Sequence, residues 1–416
     1  MKTNTITAVP KLRFPEFRSN ESWKSTTLEN VAELNPSNPG LPNKFIYIDL
    51  ESVQDSMLLN RKETSTANAP SRAQRLLEYE DVLFQTVRPY QKNNFFFLLK
   101  DDHNYVASTG YAQLRAFESA SYLNQYIYNE RFVSRVLEHC AGSNYPAISS
   151  KNLAKISVEI PSLPEQQKIA NCLSSLDDSI DAETQQLESL KTHKAGLLQQ
   201  LFPAEGEMIP KRRFAEFEGD GDWEEVKLVD VAETSIGLVT TMTTSYVEKG
   251  IPLIRNSDIK PNAIRMTKLI NLSKEFADKY ENKRLLKNDI VTVHTGDIGV
   301  SALVEQDLEG SLGFATLNTR VTSSSVSPEF VCWFFNSPEY KRFALSMATG
   351  DGRNNFNLRD FNKTILFIPD ILEQQKIVDC LSSLDNLIQA KDEKIKMLKE
   401  HKQGLMQQLF PVMDGE

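Results

Sequence analysis

The sequence predicts a mixed α/β protein (α+β) with two globular domains separated by two long helices that pair as an antiparallel coiled coil. Three observations predict this fold: a tandem internal repeat, a heptad seam in each copy, and mixed strand and helix patterns between the seams. The predicted segments are a first globular domain over 1–163, a first long helix over 164–203, a second globular domain over 204–371, and a second long helix with the C-terminal tail over 372–416.

The repeat is strongest in the predicted helices. Residues 164–203 and 372–411 align without a gap at an offset of 208, with 24 identities in 40 positions. A second matched pair, 10–17 and 210–217, opens the two halves at an offset of 200. The residues between the matched segments are much less alike and are about eight residues longer in the second copy (208 − 200). A duplicated, pseudo-twofold scaffold therefore surrounds two divergent inserts.

Each predicted helix carries apolar residues at alternating steps of four and three, which is the pattern of a coiled-coil seam. The seam is interrupted at Glu183 and Lys194 in the first copy and at the equivalent Lys391 and Lys402 in the second. About 38 residues would form a rod of roughly 57 Å, much longer than an ordinary core helix. The other copy is the natural partner, although two ordinary core helices would be the simpler alternative. The seam residues are Ile169, Leu173, Leu176, Ile180, Leu187, Leu190, Leu197 and Leu201, then Ile377, Leu381, Leu384, Ile388, Ile395, Leu398, Leu405 and Leu409.

The inserts, roughly 25–160 and 225–368, combine short β-rich runs with helical patterns. Helices are predicted over 120–140 and 328–347. The pattern does not determine the strand order. The predicted strands are 82–84, 95–99, 156–160, 290–293 and 364–368.

The charge distribution gives a mixed indication about nucleic-acid binding. A net charge of −9 and a pI near 5.4 argue against it, because phosphate contacts require Lys and Arg. Locally, 85–100 contains three basic residues and no acid, and 251–287 has a net charge of +5 (9 − 4). Arg, Lys, Asn and Gln are the residues that read guanine and adenine edges, although a solvated surface is the alternative for each one. The candidate DNA-binding residues are Arg88, Tyr90, Lys92, Asn93, Asn94, Arg255, Asn256, Arg320, Arg353 and Asn354.

Paired glutamines recur near both ends of each predicted long helix. They could contact a partner subunit, or they could simply form a polar helix face. The candidate interface residues are Gln166, Gln167, Gln199, Gln200, Gln374, Gln375, Gln407 and Gln408.

Several classes of protein are not supported by the motifs. The sequence contains no nucleotide-binding P-loop, no Asp/Asn/Ser-Pro-Pro-aromatic motif of amino-methyltransferases and no metal-ligand spacing of its five histidines. Its four cysteines form no CxxC pair, and no apolar run reaches the ~20 residues of a membrane span. We therefore expect a cytoplasmic binding protein with no catalytic site, no metal and no membrane association.

In its repeated motifs the chain resembles the specificity subunits of type I restriction-modification enzymes. The resemblance rests on the Glu-Gln-Gln-Lys-Ile helix starts at 165–169 and 373–377, each preceded by an Ile-Pro strand end, and on the paired openings that end at Trp23 and Trp223. The Val-Arg-Pro segment at 87–89 and the Ser-Thr-Gly segment at 108–110 add to it. Each mark alone is weak, but together and duplicated they are specific.

The resemblance implies two target-recognition domains, each reading one half of a bipartite site in double-stranded DNA. The helix pair would set the spacer and dock two modification (methyltransferase) subunits. These would bind S-adenosylmethionine and methylate adenine, and restriction subunits would add ATP- and Mg-dependent translocation and cleavage. Two alternatives stay open: a coiled-coil scaffold with two protein-binding heads, and a self-sufficient nuclease or methyltransferase with an unrecognised site.

Overall fold

The computed structural model describes residues 9–142, 144–348 and 355–411, which form two compact units. Unit 1 comprises residues up to 184 together with those from 393 onward, and unit 2 comprises 185–392. The predicted DNA-binding residues Arg353 and Asn354 lie outside the described residues.

Unit 1 contains two four-stranded sheets, with the orders β6-β3-β10-β7 and β2-β11-β8-β9, and the two-stranded pairs β1-β12 and β4-β5. Its strands are β1 Lys24–Thr27, β2 Ala32–Leu34, β3 Lys44–Ile48, β4 Val53–Gln54, β5 Met57–Leu58, β6 Lys62–Ser65, β7 Ala73–Leu76, β8 Val82–Gln85, β9 Phe95–Phe96, β10 Tyr105–Ser108, β11 Tyr111–Ala116 and β12 Ser157–Ile160. Its helices are α1 Ala120–Tyr126, α2 Glu130–Glu138 and α3 Ser150–Ala154, and the long helix α4 Leu163–Gln200 starts in this unit.

Unit 2 has the sheet orders β14-β23-β20-β21 and β15-β19-β16-β22, with the pairs β13-β24 and β17-β18. Its strands are β13 Glu224–Lys227, β14 Ala232–Ile236, β15 Tyr246–Val247, β16 Ile251–Arg255, β17 Ile259–Lys260, β18 Ala263–Ile264, β19 Ile270–Leu272, β20 Ile290–Val293, β21 Ser301–Leu303, β22 Leu312–Phe314, β23 Thr316–Val321 and β24 Ile365–Ile368. Its helices are α5 Leu228–Val231, α6 Lys274–Asp278, α7 Pro328–Phe335, α8 Pro338–Met347 and α9 Leu358–Phe361, and the long helix α10 Ile371–Leu409 starts here.

The mixed fold and the duplication are confirmed, and each predicted strand overlaps an observed one. The strand predicted over 95–99 is shorter than expected, because only Phe95–Phe96 pairs with β8. Both predicted insert helices are divided in two. Ser337 caps α8 by accepting a hydrogen bond from the Tyr340 N–H, and Pro338 opens that helix, so the chain stops α7 and starts again. Asn129 caps α2 in the same way in unit 1.

The long helices run antiparallel within each unit. In unit 1, Ile169 and Leu173 from the first part of α4 share a hydrophobic core with Leu409 from the end of α10. In unit 2, the end of α4 and the start of α10 meet in the same way, in a core that includes Leu197 and Ile377. In the part of the chain that the structure describes, no helix is both long and apolar enough to cross a membrane.

Two of the lysines that interrupt the seam form ion pairs between the helices. Lys402 lies 2.6 Å from Asp177 in unit 1, and Lys194 pairs with Asp385 in unit 2. Each lysine and each aspartate is the counterpart of the other at the offset of 208. A charged residue in an apolar seam favours the register in which it is paired, so these contacts help to specify the helix alignment.

A buried carboxylate anchors the first turn of each long helix. Glu165 is 1% exposed and accepts two hydrogen bonds of 2.7 Å from the Arg13 guanidinium, with the Trp23 indole N–H 3.4 Å away. In unit 2, Glu373 is equally buried and pairs with Arg213. The matched opening segments of the two halves are therefore held to the helix starts by charge-assisted hydrogen bonds.

Replacing Glu165 by Gln should destabilise unit 1 by about 3–5 kcal/mol, because it leaves the Arg13 cation buried without its carboxylate. Urea unfolding followed by circular dichroism would measure the loss, and Glu373→Gln should have a comparable effect on unit 2. Glu16→Gln is the control, because its ion pair with Lys168 is half exposed on both sides and its loss should leave the unfolding midpoint nearly unchanged. Equal midpoints for Glu165→Gln and Glu16→Gln would contradict the anchoring role.

Candidate nucleic-acid interface

In unit 1, the loop that joins β8 to β9 contains all five predicted DNA-binding residues of the first domain. Its ends are fastened by two buried amides. The Gln85 N–H donates to Asn94 Oδ1 over 2.8 Å, and the Asn93 N–H donates to Gln85 Oε1 over 3.0 Å. Asn94 is 1% exposed, so its side chain shapes the loop from inside.

The surface of this loop is formed by Arg88, Tyr90 and the neighbouring segment 144–147. The backbone of Val87 bridges that of Ala147, and the Arg88 N–H donates to the Pro146 carbonyl over 2.7 Å. Tyr90 is 50% exposed, and Arg88 is half-buried. These contacts place the two loops side by side, with cationic and aromatic side chains at the surface.

Lys92 and Asn93 are less open to a ligand than the sequence suggests. Lys92 donates to Glu130 over 2.6 Å and to the Tyr128 carbonyl over 3.3 Å. The Asn93 side chain is half-buried, and it makes no hydrogen bond with the described residues. Base contact by these two residues stays a prediction.

Unit 2 builds its loops on the same plan with different residues. An antiparallel β-bridge joins Thr295 to Asn355, as another joins Val87 to Ala147 in unit 1. Each residue of the unit 2 bridge lies 208 positions after its counterpart in unit 1. The Asn256 side chain accepts from the His294 N–H over 3.3 Å, and Thr295 Oγ1 donates to Asn355 Oδ1 over 2.7 Å. The predicted Asn256 therefore lies beside His294, and the adjacent Thr295 contacts Asn355.

His294 is a neutral polar group in this cluster. Its ring Nδ1 lies 2.7 Å from the hydroxyl of the adjacent Thr295, and burial lowers the pKa of His294, so the imidazole is uncharged at pH 7. Among the described residues, no group of three or more His, Cys, Asp and Glu side chains is placed to hold a metal ion.

Arg255 is the last residue of β16 and is held by a neighbouring acid. Its Nε and Nη2 donate over 2.8 Å each to the two carboxylate oxygens of Asp258, which is 3% exposed. This pairing raises the pKa of Arg255 and uses one edge of its guanidinium. About a third of the side chain stays exposed.

Arg320 occupies a position that is duplicated in the framework. It donates to Asp289 over 2.8 and 2.6 Å, as Arg115 donates to Asp81 over 2.9 and 3.0 Å in unit 1. Both aspartates also accept a backbone N–H from three residues before them. Base contact by Arg320 stays a prediction. Because the same Arg–Asp pair occurs in both units, a role in holding the fold is favoured for Arg320.

Four cations of unit 2 were not singled out by sequence reasoning. They lie within 251–287, where the local net charge of +5 was the available signal. All four are exposed, and none forms an ion pair with the described part of the chain. The other five basic residues of this segment bind acids or backbone carbonyls within the unit. We call the exposed set the unit 2 cations: Lys260, Arg265, Lys268 and Lys287.

The predicted interface glutamines divide into two groups. Gln166 and Gln374 are 2% and 0% exposed, and their amides donate to the carbonyls of Pro161 and Pro369. These two side chains link each helix start to the preceding strand. The other six are exposed, and partner contact by them stays a prediction: Gln167, Gln199, Gln200, Gln375, Gln407 and Gln408.

Two units built on one framework, each presenting its own loops, define the architecture of a specificity protein. Residues 20–192 and 220–400 both match the type I restriction modification DNA specificity domain. These matches cover most of the chain, and the protein belongs to this family. The family match favours DNA recognition over the scaffold with protein-binding heads.

Individual relatives agree with this assignment. The chain is 24% identical over 277 residues to the type I restriction enzyme MjaVIII specificity subunit of Methanocaldococcus jannaschii, covering 65% of this chain and 64% of the relative. It is 25% identical over 275 residues to the EcoBI specificity subunit of Escherichia coli, covering 60% and 58%. The matches thus span about three fifths of these relatives' lengths. The fold is similar to that of the type I restriction-modification S subunit from M. genitalium, with a TM-score of 0.61 and 13% identity over 97% of this chain and 100% of that one.

The two adjacent asparagines should behave differently. Asn94→Ala should lower the free energy of unfolding by about 1–3 kcal/mol, because the buried Gln85 N–H loses its acceptor. Asn93→Ala is the matched control and should change it little. Thermal and urea unfolding of both variants would measure this, and a stability loss in Asn93→Ala equal to that in Asn94→Ala would contradict the assignment.

Proposed function

We propose that this chain is the DNA-recognition subunit of a type I restriction-modification complex, acting in the cytoplasm. Unit 1 reads one half of a bipartite site in double-stranded DNA, unit 2 reads the other half, and the paired long helices set the spacer. The chain itself carries out no catalysis. Methylation and cleavage belong to partner subunits.

One observation carries this proposal: the same framework presents different side chains at equivalent loops. The bridge between Val87 and Ala147 and its counterpart between Thr295 and Asn355 place matched loops at the surface of each unit. Beside them stand Arg88 in unit 1 and the Asn256–His294 pair in unit 2. A palindromic target would need identical loops, whereas two different half-sites require this divergence.

The helical frame supports the proposed partners. Each copy carries one exposed glutamine pair near the end of its long helix, Gln199–Gln200 and Gln407–Gln408, so the frame offers the same polar surface twice. We propose that two copies of a modification subunit dock there and bind S-adenosylmethionine. Restriction subunits would bring ATP and Mg. Contacts from these partners would also offset the acidity of this chain.

The test is adenine-methylation mapping by single-molecule sequencing in cells that express this chain with the modification subunit encoded beside it. We expect a bipartite methylated motif that disappears when this chain is deleted. Exchanging the insert of one unit for that of another family member should change one half of the motif only. Unchanged methylation after deletion, with both subunits detected by immunoblot, would refute the proposal.

Arg88→Ala should relax one position in only one half of the motif. A good bidentate base contact contributes about 1–3 kcal/mol of discrimination, and the framework of unit 2 is untouched by the change. Methylation mapping of the variant gives the readout. An equal loss in both halves would exclude Arg88 from reading the first half-site.

The unit 2 cations should bind phosphates. Replacing each of them by Gln should weaken binding of the assembled complex to all sequences alike and lower the slope of log K against log salt by about 0.9 per lost contact. Lys274→Gln with Lys279→Gln is the control, because both lysines already pair with acids of α6 at 3.5 and 3.8 Å. A salt slope that falls equally in the control would remove the special role of the four.

A further inference from the structure

The guanidinium of Arg88 lies over an aromatic ring. Its Cζ is 4.3 Å from the centroid of the Tyr145 ring, and Tyr145 is 66% exposed. Cation–π attraction holds a guanidinium near the ring it covers and restricts its motion. An arginine held in this way is oriented before a ligand arrives.

The guanidinium of Arg88 has no carboxylate partner among the described residues, and its Nε is buried without a hydrogen-bond acceptor. This separates it from Arg255 and Arg320, which pair bidentately with buried aspartates. Three of the arginines predicted to bind DNA are described by the structure. Of these three, Arg88 is the one whose charge is not neutralised by an acid of its own unit.

The backbone under Arg88 is held in an unusual conformation. Arg88 has φ of +53°, as does Lys92, and the two bracket the short turn Pro89–Gln91. Left-handed backbone at residues other than glycine is costly and persists where surrounding contacts impose it, often in binding loops. Here the Arg88 N–H is bonded to Pro146, and the Ile148 N–H is bonded to the Thr86 carbonyl over 3.0 Å. The loops that carry Arg88 and Tyr145 are therefore locked together.

From these observations we infer that Tyr145 is a positioning residue for base readout, which holds the Arg88 guanidinium so that it donates two hydrogen bonds to O6 and N7 of one guanine in the first half-site. The inference rests on the proposed function. A guanine edge demands a defined guanidinium plane, whereas a phosphate accepts donors from many directions. The stack supplies the orientation that base readout needs.

Unit 2 has no arginine at the position equivalent to Arg88. At the offset of 208 the position of Arg88 is occupied by Gly296, which has φ of +100° and no side chain to stack. Among the described residues, an arginine over an aromatic ring is therefore a feature of the unit 1 loop. This difference is what reading two unlike half-sites requires.

The test compares Tyr145→Phe, Tyr145→Leu, Arg88→Ala and the double variant Arg88→Ala/Tyr145→Leu, each assembled with the modification subunit. The readout is the methylation rate on the wild-type duplex divided by the rate on duplexes with one substituted base pair. Unfolding midpoints of the four variants report any loss of fold. Tyr145→Phe keeps the ring and removes only the hydroxyl.

Arg88→Ala should lower discrimination at one guanine position by about fivefold to 150-fold, the range of a bidentate base contact. Tyr145→Leu should lower it at the same position by about two- to fivefold, the contribution of an exposed cation–π contact. Tyr145→Phe should match the wild type, and the double variant should match Arg88→Ala, because Tyr145 acts through Arg88.

Three results would overturn the inference. One is unchanged discrimination in Tyr145→Leu while Arg88→Ala relaxes a position, because Arg88 would then read without Tyr145. Another is an equal loss of rate on all duplexes, which would assign Arg88 to a phosphate. The third is additivity in the double variant. All three leave the proposed function intact, whereas the absence of any bipartite motif with the wild-type chain would refute that function itself.

Discussion

Each unit of this protein depends on apolar side chains supplied by the far end of a long helix. In unit 1, Phe410 is 1% exposed and packs against Trp23 and Tyr126, with ring centroids 6.4 and 5.4 Å apart. In unit 2, Phe202 fills the same position beside Phe330. The core of unit 1 is therefore closed by a residue almost four hundred positions from Trp23 in the sequence, and burial of these large aromatic side chains is a major source of stability. Neither half of the sequence contains a complete unit 1 core.

The comparison of the two units separates framework from recognition. Residues that make the same contact twice, such as the Arg13–Glu165 and Arg213–Glu373 pairs, maintain the fold. The loops after β8 and β20 begin from the same backbone bridge and then diverge in side chain. A rigid base under a variable loop allows new half-sites to be read without a new fold. In this duplicated protein, contacts that occur in both units therefore belong to the framework, and side chains that differ between equivalent loops are the candidates for recognition.

The acidity of the chain is compatible with DNA binding because its charges are segregated. Many basic residues are already neutralised by acids in the same unit, as Arg255 and Arg320 are. Four cations that stay exposed in unit 2, the unit 2 cations, fall within one stretch of basic sequence. A phosphate responds to the field of nearby cations within about a Debye length, roughly 8–10 Å, more than to the net charge of the protein. The total of −9 therefore says little about the charge at the proposed interface.

The sequence by itself determined the duplication, the two long helices and their antiparallel pairing, because heptad periodicity and the matched seam interruptions are properties of the chain read in order. It also located the Arg88 loop and the basic region of unit 2, through local composition. Only the tertiary structure decided which of these side chains are available. Asn94 and Gln166 are polar and look suited to binding, yet both are buried and bonded within unit 1. Tyr145 lies 57 positions from Arg88 and carried no sequence signal, because its contact depends on backbone pairing between two distant loops (145 − 88). Local patterns specify elements, but burial and partner choice depend on contacts between residues far apart in the chain, and these exist only once it has folded.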